Sequence, residues 1–221
     1  MTDQTHAVYD DNHEAIKASQ FPLDTKQVEA INRCVDLAVT NRIVPVTGQA
    51  GTGKTTIMKL VFQKITEMGI SVVCCAPTGK AAKRIHEATG IPREYCMTVH
   101  KLLEYPRPGE RCEKTGKALK QGVPKRDKYV PLEFKVVLCD EYAMVNEELH
   151  RNLLDALPSG GCIRMFGDIN QLPPIENNRA SEGEPSPFMR MLAQFKGITL
   201  GTIHRQKDGS GIVSNGDLIL K

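Results

Sequence analysis

The chain has 221 residues, of which 40% are hydrophobic and 25% are charged, so it can form one large globular domain or two small ones. Its formal net charge of +3 is too small to indicate nucleic-acid binding by itself, so any basic surface has to be local. The seven cysteines form no C-x-x-C pair and no Cys/His metal spacing, which favours reduced thiols in a cytosol.

No stretch of the sequence is apolar for long enough to span a membrane, and the polar N-terminus is not typical of a signal peptide. We therefore expect a cytoplasmic protein without a membrane partner. Residues 1–20 are polar and lack periodicity, which predicts an N-terminal tail.

The first predicted elements are a helix and a strand. Asp24 and Gln27 have the spacing of a capping box, and apolar residues then recur at helical spacing, which predicts a helix over 25–40. An apolar strand is predicted over 42–47. Pro45 lies inside it and cannot donate to a sheet, so we expect either a bulge or an unpaired position there.

A glycine-rich loop follows this strand and reads G-Q-A-G-T-G-K-T-T, which fits the phosphate-binding pattern G-x-x-x-x-G-K-[ST]. Glycines allow backbone N–H groups to surround a phosphate, and the helix predicted from Lys54 to about Met68 directs its positive end at the same anion. Lys54 can reach the β- and γ-phosphates, and the Thr55 hydroxyl can bind Mg²⁺. The residues predicted to hold the nucleotide in this loop are Gly48, Gln49, Ala50, Gly51, Thr52, Gly53, Lys54, Thr55 and Thr56.

Strands and helices then alternate along the rest of the chain. Strands are predicted over 71–76, 134–139, 162–166 and 198–200, and helices over 80–88, 98–103 and 146–157. This order predicts an α/β fold with a mainly parallel sheet flanked by helices. We expect the strand 162–166 to lie between the strands 42–47 and 134–139.

Two segments interrupt the alternation. Residues 104–131 contain four prolines, three glycines, eight Lys/Arg and four Asp/Glu, which predicts an insertion, either a hairpin subdomain or a mobile loop. Residues 176–187 have the composition of a second exposed loop.

Acidic and polar residues follow two of the buried strands. Asp140 and Glu141 end the strand 134–139, where one carboxylate can bind Mg²⁺ and the next can take a proton from an attacking water. Gln171 follows the strand 162–166 and can contact a γ-phosphate, as can Arg205 near the C-terminus. Taken singly, a strand end with one acid is commonly just solvated, and an isolated Arg is commonly a surface ion pair.

Taken together, these motifs resemble the superfamily 1 helicases of the RecD/Dda type. Six sequence blocks match that family in order, and a seventh resembles its arginine block. The six are P-L-D-T-K-Q-V-E-A-I (22–31), the phosphate loop (48–56), A-P-T-G-K-A-A-K-R-I (76–85), T-V-H-K-L-L (98–103), V-V-L-C-D-E-Y-A-M-V (136–145) and G-D-I-N-Q-L-P-P-I (167–175); the seventh is H-R-Q with G-S-G-I downstream (204–212).

The resemblance implies a RecA-like P-loop NTPase fold over 21–103 and 132–221, with ATP and Mg²⁺ as cofactors. It implies that Gln27 reads the adenine edge, Asp140 and Thr55 bind the metal, and Glu141 activates water. Lys54, Gln171 and Arg205 would act on the γ-phosphate. Residues implied to contact single-stranded DNA are Pro77, Thr78, Gly79, Lys80, Thr98 and His100.

In such helicases the position of 104–131 holds a small β-hairpin pin that separates strands at a duplex junction, and a second RecA-like domain completes the motor. That second domain is not in this sequence. The implied activity is ATP-driven translocation on single-stranded DNA with unwinding, with 5′ to 3′ polarity, in a bacterial cell or a phage-infected host. The alternative is a non-motor, ATP-dependent DNA-binding switch or a helicase-like subunit of a larger complex.

Overall fold

The computed structural model of the protein describes residues 23–112, 115–171 and 185–202. The helices are α1 (Thr25–Val35), α2 (Lys54–Glu67), α3 (Gly79–Thr89), α4 (Val99–Leu102), α5 (Glu147–Asp155) and α6 (Pro187–Gln194). The strands are β1 (Ile43–Gly48), β2 (Val72–Ala76), β3 (Cys96–Thr98), β4 (Val136–Cys139), β5 (Cys162–Gly167) and β6 (Ile198–Leu200).

The six strands form one sheet in the order β3-β2-β4-β5-β1-β6, and every neighbouring pair is parallel. The α/β fold with a parallel sheet is therefore confirmed, and so is the position of β5 between β1 and β4. Because all strands run in one direction, the loops that follow β1, β4 and β5 meet at the same edge of the sheet.

Helices cover both faces of the sheet, and the side chains of each strand alternate between two separate cores. In β2, for example, Cys74 packs with α1, α2 and α3, whereas Cys75 packs with α4, α5 and α6. Both faces are apolar, which explains why the strands are continuous apolar runs in the sequence. None of the described helices combines the length and the apolar composition that crossing a membrane requires.

Pro45 is accommodated in β1 without a bulge, since β1 and β5 stay in register from Ile43 to Thr47. The backbone N–H of Ile163 in β5 donates to the carbonyl of Arg42, so the alternate residues 42, 44 and 46 face β5 and Pro45 faces the other side. On that side β6 pairs only from Val46 onward. The missing N–H of Pro45 therefore costs no ladder bond, and of the two expectations the unpaired position is the one found.

The predicted helix over 25–40 is too long, because α1 ends at Val35. Its capping box is confirmed, with Asp24 and Gln27 bonded reciprocally. The Asp36 side chain accepts hydrogen bonds from the backbone N–H of Ala38 (2.9 Å) and from Asn41 Nδ2 (2.7 Å), which stabilises a turn in place of a further helical turn. Val39, predicted to lie on the apolar face, is 91% exposed.

Two elements were not predicted. Strand β3 has only three residues, too few to show a period, and α6 begins inside the segment that was expected to be a loop. The start of α6 nevertheless has a readable signal, since the Ser186 side chain caps the helix and Pro187 follows it at the first helical position. The short helix predicted at 98–103 is confirmed as α4, and Thr98 caps it.

The insertion is docked on the core at both ends. On its N-terminal side the Tyr105 hydroxyl accepts a 2.7 Å hydrogen bond from Nδ2 of Asn152 on α5, and on its C-terminal side Leu132 is buried. Between them, the expected hairpin is reduced within the described residues to one antiparallel bridge, between Arg111 and Ala118.

Candidate ATP site and nucleic-acid interface

The candidate ATP site is built at the edge of the sheet where β1, β4 and β5 end. The phosphate loop follows β1, Asp140 and Glu141 follow β4, and Asp168 follows β5. These segments are more than twenty residues apart in the chain, and the parallel pairing of the three strands brings them together. The structure therefore unites the phosphate loop with the predicted carboxylate pair.

The phosphate loop turns sharply from β1 into α2. Gly51 and Gly53 both have φ of +89°, a conformation that side chains with a Cβ rarely adopt. The Thr52 hydroxyl donates to the carbonyl of Gln49 (2.9 Å), which ties the loop to itself. Helix α2 begins at Lys54, so the backbone N–H groups of its first turn, which includes Thr55 and Thr56, point toward the loop.

The Lys54 ammonium lies across the mouth of this loop. Its Nζ donates hydrogen bonds to the carbonyls of Gly48 and Gln49, the second at 3.0 Å. Burial lowers the pKa of Lys54, and the carboxylates of Asp168, Asp140 and Glu141 act in the opposite direction. A phosphate in the loop would supply a negative partner for this half-buried cation at short range.

Asp140 has the environment of a metal-binding carboxylate. Burial raises the pKa of Asp140, and the adjacent Glu141 carboxylate raises it further, while the backbone N–H of Glu141, Lys54 and Arg84 act against this rise. Two acids side by side with so little solvent are stabilised by a divalent cation. Within the described residues, no three His, Cys, Asp or Glu side chains form a group that could hold a metal ion by themselves.

Glu141 is held in an unusual backbone conformation. Its φ of 51° and ψ of 38° place it in the left-handed region, where a non-glycine residue is strained. Its Oε2 atom is buried and has no hydrogen-bond partner among the described residues. A buried carboxylate oxygen without a partner is costly, and a water molecule at this point would satisfy it, as the role of general base requires.

The residue after Glu141 fixes the turn that carries it. Tyr142 is fully buried, and its hydroxyl shares a 2.8 Å hydrogen bond with Nδ1 of His150 on α5. Its ring lies 6.0 Å, between centroids, from that of Phe188 on α6. Tyr142 therefore anchors the strained turn to two helices, a role that the sequence analysis did not assign.

Gln171 is brought to the same edge by the turn after β5. The Asp168 side chain accepts from the backbone N–H of Asn170 (3.0 Å), and the Asp168 carbonyl accepts from the backbone N–H of Gln171 (3.1 Å). Asp168 thus shapes this turn and also acts on Lys54, although it was not among the predicted site residues. Arg205 lies outside the described residues, and so do residues 172–175 of the same block and the whole arginine block at 204–212.

Gln27 contacts the phosphate loop directly. It is 3% exposed, and its Nε2 donates to the carbonyl of Thr52 (3.1 Å), while its Oε1 accepts from the backbone N–H of Asp24 (3.0 Å). Both ends of the amide are therefore engaged within the protein. Gln27 could hydrogen-bond to the edge of an adenine only if it first gave up one of these two bonds. Its role in adenine recognition therefore stays a prediction.

The predicted DNA-contacting residues lie at the ends of β2 and β3. Those two strands are adjacent and parallel, with Ala76 opposite Thr98, so their two blocks share one side of the sheet edge. Thr78, Gly79, Lys80 and His100 are exposed, and Pro77 and Thr98 are half-buried. The hydroxyls of Thr78 and Thr98 accept from the backbone N–H groups of Ala81 and Lys101, which makes them helix caps whether or not they touch DNA.

An open cavity of about 760 Å³ adjoins this surface, between α4 and the insertion. The rings of His100 and Tyr105 lie on it with their centroids 4.9 Å apart, and Lys101, Arg107 and Lys125 line it as well. Aromatic rings and cations together are the combination that single-stranded nucleic acids bind. Lys125 is 2.5 Å from Glu110, so part of this positive charge is already neutralised.

One further charged residue at the ATP site was missed in the sequence. Arg84 of α3 places its Nη1 3.7 Å from Oε1 of Glu141. It lies within the A-P-T-G-K-A-A-K-R-I block, but its position five residues after the exposed turn gave no indication of which strand end it would reach.

Comparison with known proteins gives a consistent family. A family described as AAA domain matches residues 30–177, more than half of the chain. The ATP-dependent RecD2 DNA helicase of Deinococcus radiodurans is 35% identical over 179 residues, which are 81% of this chain and 22% of that protein. The ATP-dependent DNA helicase Dda of Enterobacteria phage T4 is 29% identical, over 60% of this chain and 28% of that protein.

The RecBCD enzyme subunit RecD of Haemophilus influenzae is 27% identical, over 82% of this chain and 29% of its own length, so the chain spans less than a third of each of these three relatives. In fold, the chain is similar to Bacteroides Pif1 in complex with ADP-AlF4, with a TM-score of 0.56 and 24% identity over 90% of this chain and 46% of that one. The chain therefore belongs to the AAA domain family, and its sequence is similar to helicases of the RecD and Dda type.

Proposed function

We propose that this chain is the ATP-binding lobe of an ATP-dependent DNA helicase. One observation carries the proposal: the phosphate loop, Asp140-Glu141 and the Gln171 turn meet at one sheet edge, beside the exposed ends of β2 and β3. A helicase couples ATP hydrolysis to movement along DNA. This coupling requires the nucleotide site and the DNA-binding surface to lie close together, as they do on this edge. The names of the relatives, RecD2, Dda and Pif1 helicases, support the same activity.

At the ATP site, the loop residues and Lys54 hold the phosphates, and Thr55 and Asp140 hold Mg²⁺, which supplies charge neutralisation of the phosphate oxygens. Glu141 accepts the proton of the attacking water, for which its unpartnered Oε2 is available. Gln171 contacts the γ-phosphate region and responds to its loss. Arg205 is assigned by resemblance alone to stabilise the charge that develops during transfer.

A second RecA-like domain completes the motor in this proposal, since the chain spans less than a third of RecD2, Dda and RecD. Closure of two lobes around ATP converts hydrolysis into steps along DNA. The proposed partners are single-stranded DNA and duplex junctions, with 5′ to 3′ movement taken from the resemblance. A cytoplasmic location is supported by the reduced state of all seven cysteines, six of which are buried.

A second candidate function is a helicase-like subunit that acts within a larger complex. The match to RecD, which is named as a subunit of the RecBCD enzyme, favours it. Purification of the intact protein separates the two: a motor unwinds DNA alone, whereas a subunit requires its companions for unwinding.

The proposal is tested with two variants of the intact protein and one control. Lys54→Ala should lose nucleotide affinity, because the phosphate charge then has no cation in the loop. Glu141→Gln should bind ATP normally and hydrolyse it about 10²–10⁴-fold more slowly. Glu148→Gln, an exposed acid on α5, is the matched control and should behave as the wild type. Near-normal turnover in Glu141→Gln would remove Glu141 from its proposed role.

DNA binding is tested separately by fluorescence anisotropy with a labelled oligonucleotide. Affinity should fall as salt rises, with a slope of about 0.7 per phosphate contact on single strands, because bound cations are released. Single strands should be preferred over a blunt duplex, since their bases can stack on the exposed ring of His100 and the half-buried ring of Tyr105 beside it. Equal affinity for the duplex would contradict the assigned surface.

A further inference from the structure

Helix α3 connects the two halves of the sheet edge. Its N-terminus carries Thr78, Gly79 and Lys80, the exposed turn assigned to DNA, and Arg84 lies five residues after Gly79. At 1.5 Å per residue this is a distance of about 7.5 Å along the helix axis. The Arg84 guanidinium therefore reaches the ATP site from the same rigid element that meets the DNA.

The contact made by Arg84 is with the proposed general base. Its Nη1 lies 3.7 Å from Oε1 of Glu141, and the side chains are 57% and 18% exposed, respectively. One carboxylate oxygen of Glu141 is thus held by a cation, while the other is buried without a partner. The ion pair holds the carboxylate in one orientation, so the free Oε2 cannot turn toward the attacking water while the guanidinium stays on Oε1.

Helix α3 is held together by its own cap, its backbone hydrogen bonds and the burial of one face. The Thr78 side chain caps it, the backbone N–H of Ala82 donates to the carbonyl of Thr78 (3.0 Å), and Ala82 and Ile85 bury its inner face. Arg84 lies on the outer face and is held by no other hydrogen bond or ion pair among the described residues. A small shift of the N-terminal turn is therefore transmitted to the guanidinium rather than absorbed inside the helix.

We propose that Arg84 is a positioning residue that restrains Glu141 in the absence of DNA, and that DNA bound at the N-terminus of α3 displaces Arg84 and frees Glu141 to activate water. This inference rests on the proposed function, and it adds the element through which DNA would regulate the ATP site. It assigns to α3 two discrete arrangements, with the guanidinium either on Glu141 or away from it, and the DNA favours the second.

The test uses the intact protein and steady-state ATPase assays with and without saturating oligo(dT). Arg84→Ala should raise the DNA-free kcat by about 2–5-fold, the range expected from losing an ion pair with one exposed partner. The kcat at saturating DNA should stay within about 2-fold of the wild type, so the stimulation by DNA decreases. Arg84→Lys keeps a cation at this position, and its DNA-free kcat should lie closer to that of the wild type.

The matched control is Lys83→Ala, which removes a cation from the neighbouring position of α3. Lys83 pairs with Glu87 on the same helix at 3.3 Å and does not contact the ATP site. This variant should leave the DNA-free kcat unchanged, so removal of a cation from α3 without loss of the Glu141 contact should not produce the result expected for Arg84→Ala.

A second readout does not depend on turnover. Because coupling between two ligands is reciprocal, a non-hydrolysable ATP analogue should change the affinity for oligo(dT) less in Arg84→Ala than in the wild type. An Arg84→Ala protein with an unchanged or lower DNA-free kcat would overturn the inference, even if the wild type is stimulated by DNA. A wild type with no ATPase activity under either condition would overturn the proposed function, and the inference with it.

Discussion

Gln27 Nε2 donates a hydrogen bond of 3.1 Å to the carbonyl of Thr52, in the middle of the phosphate loop. The same side chain closes the capping box at the start of α1, so one buried amide joins the first helix to the loop that holds the nucleotide. A Cβ at Gly53 would collide with that amide nitrogen, which shows how closely the two segments approach.

Substitution of Gln27 decides between loop support and adenine recognition. We expect Gln27→Ala to weaken ATP and GTP binding by similar factors, because a loop that loses this bond binds the phosphates less well whatever the base. Isothermal titration with both nucleotides measures the two affinities. A selective loss of ATP affinity, with GTP unaffected, would instead favour the adenine-reading role that the sequence resemblance implies.

Removal of the Tyr142 hydroxyl should reduce the free energy of unfolding, because His150 then loses its hydrogen-bond partner. Tyr142→Phe keeps the buried ring but removes the hydroxyl bonded to His150, and an unsatisfied buried polar group costs about 1–3 kcal/mol. Tyr129→Phe is the control, because Tyr129 is 80% exposed and its change should be close to neutral. Urea unfolding of both variants measures the difference, and equal stabilities would show that the His150 bond contributes nothing.

His150 should also make stability depend on pH. Burial lowers the pKa of His150 below its ordinary 6.5, with the carboxylate of Glu147 acting in the opposite direction. The unfolded chain then binds this proton more readily than the folded one, so the contribution is complete above about 6.5 and is lost as the pH falls through the lower, folded-state pKa. His150→Gln should flatten the stability profile between pH 7 and 5, as measured by urea unfolding at each pH.

Arg164 is a fully buried cation that serves the fold rather than the site. Its guanidinium donates to the carbonyls of Cys34 (2.6 Å), Asp36 (2.9 Å) and Asn41 (2.6 Å), which joins the end of α1 and the following turn to β5. Arg164→Met should cost about 3 kcal/mol or more, since several buried carbonyls would lose their donor at about 1–3 kcal/mol each. Thermal unfolding measures this loss, and Arg151→Met, at an exposed position, is the control. Similar unfolding midpoints for the two variants would contradict the structural role of Arg164.

The insertion can now be shortened without disturbing its docked ends. The backbone N–H groups of Lys125 and Arg126 donate to the carbonyl of Leu103, and Arg126 pairs with Glu104 and Glu133, so both ends belong to the core. Replacing only residues 108–123 with a short Gly/Ser turn should leave DNA-stimulated ATPase intact and sharply reduce unwinding, if the tip is a strand-separating pin. Unwinding and ATPase should be compared at saturating DNA, because basic side chains are lost with the tip.

If the Gly/Ser replacement abolishes ATPase and unwinding together, the insertion is part of the motor core. If the variant unwinds DNA at the wild-type rate, the tip is a solvated basic loop, which is the other interpretation of its sequence.

The local features of the ATP site were predictable because each is encoded by neighbours in the chain. The phosphate loop requires glycines at fixed spacing between an apolar strand and a helix, and Asp140-Glu141 must follow a buried strand to reach the carboxyl edge of the sheet. The position of β5 between β1 and β4 was expected from the RecA-like fold that the resemblance implies, and it brings the Gln171 turn beside both the phosphate loop and the Asp140-Glu141 pair.

Contacts between side chains far apart in sequence were not predictable. The spacing of α3 defines which of its faces is apolar, but not that the Arg84 guanidinium would lie against Glu141, 57 residues later. The length of α1 was overestimated for a similar reason: Ala38 and Val39 continue the helical spacing, while the side chain of Asp36 and the donors of Arg164 stabilise a turn. Strand β3 is defined by its partner Cys74-Cys75-Ala76 rather than by its own three residues.

Among the described residues, the outermost strands of the sheet are β3 and β6, and their length bears on how the lobe behaves in solution. Strands β3 and β6 each contain three residues, so an approaching strand of another molecule would find only a few free backbone donors and acceptors on either side. Long exposed edges promote intermolecular pairing and aggregation, whereas such short ones give little template for it. Within the part of the chain that the structure describes, the sheet therefore offers little edge for pairing with a second molecule, which opposes edge-to-edge polymerisation.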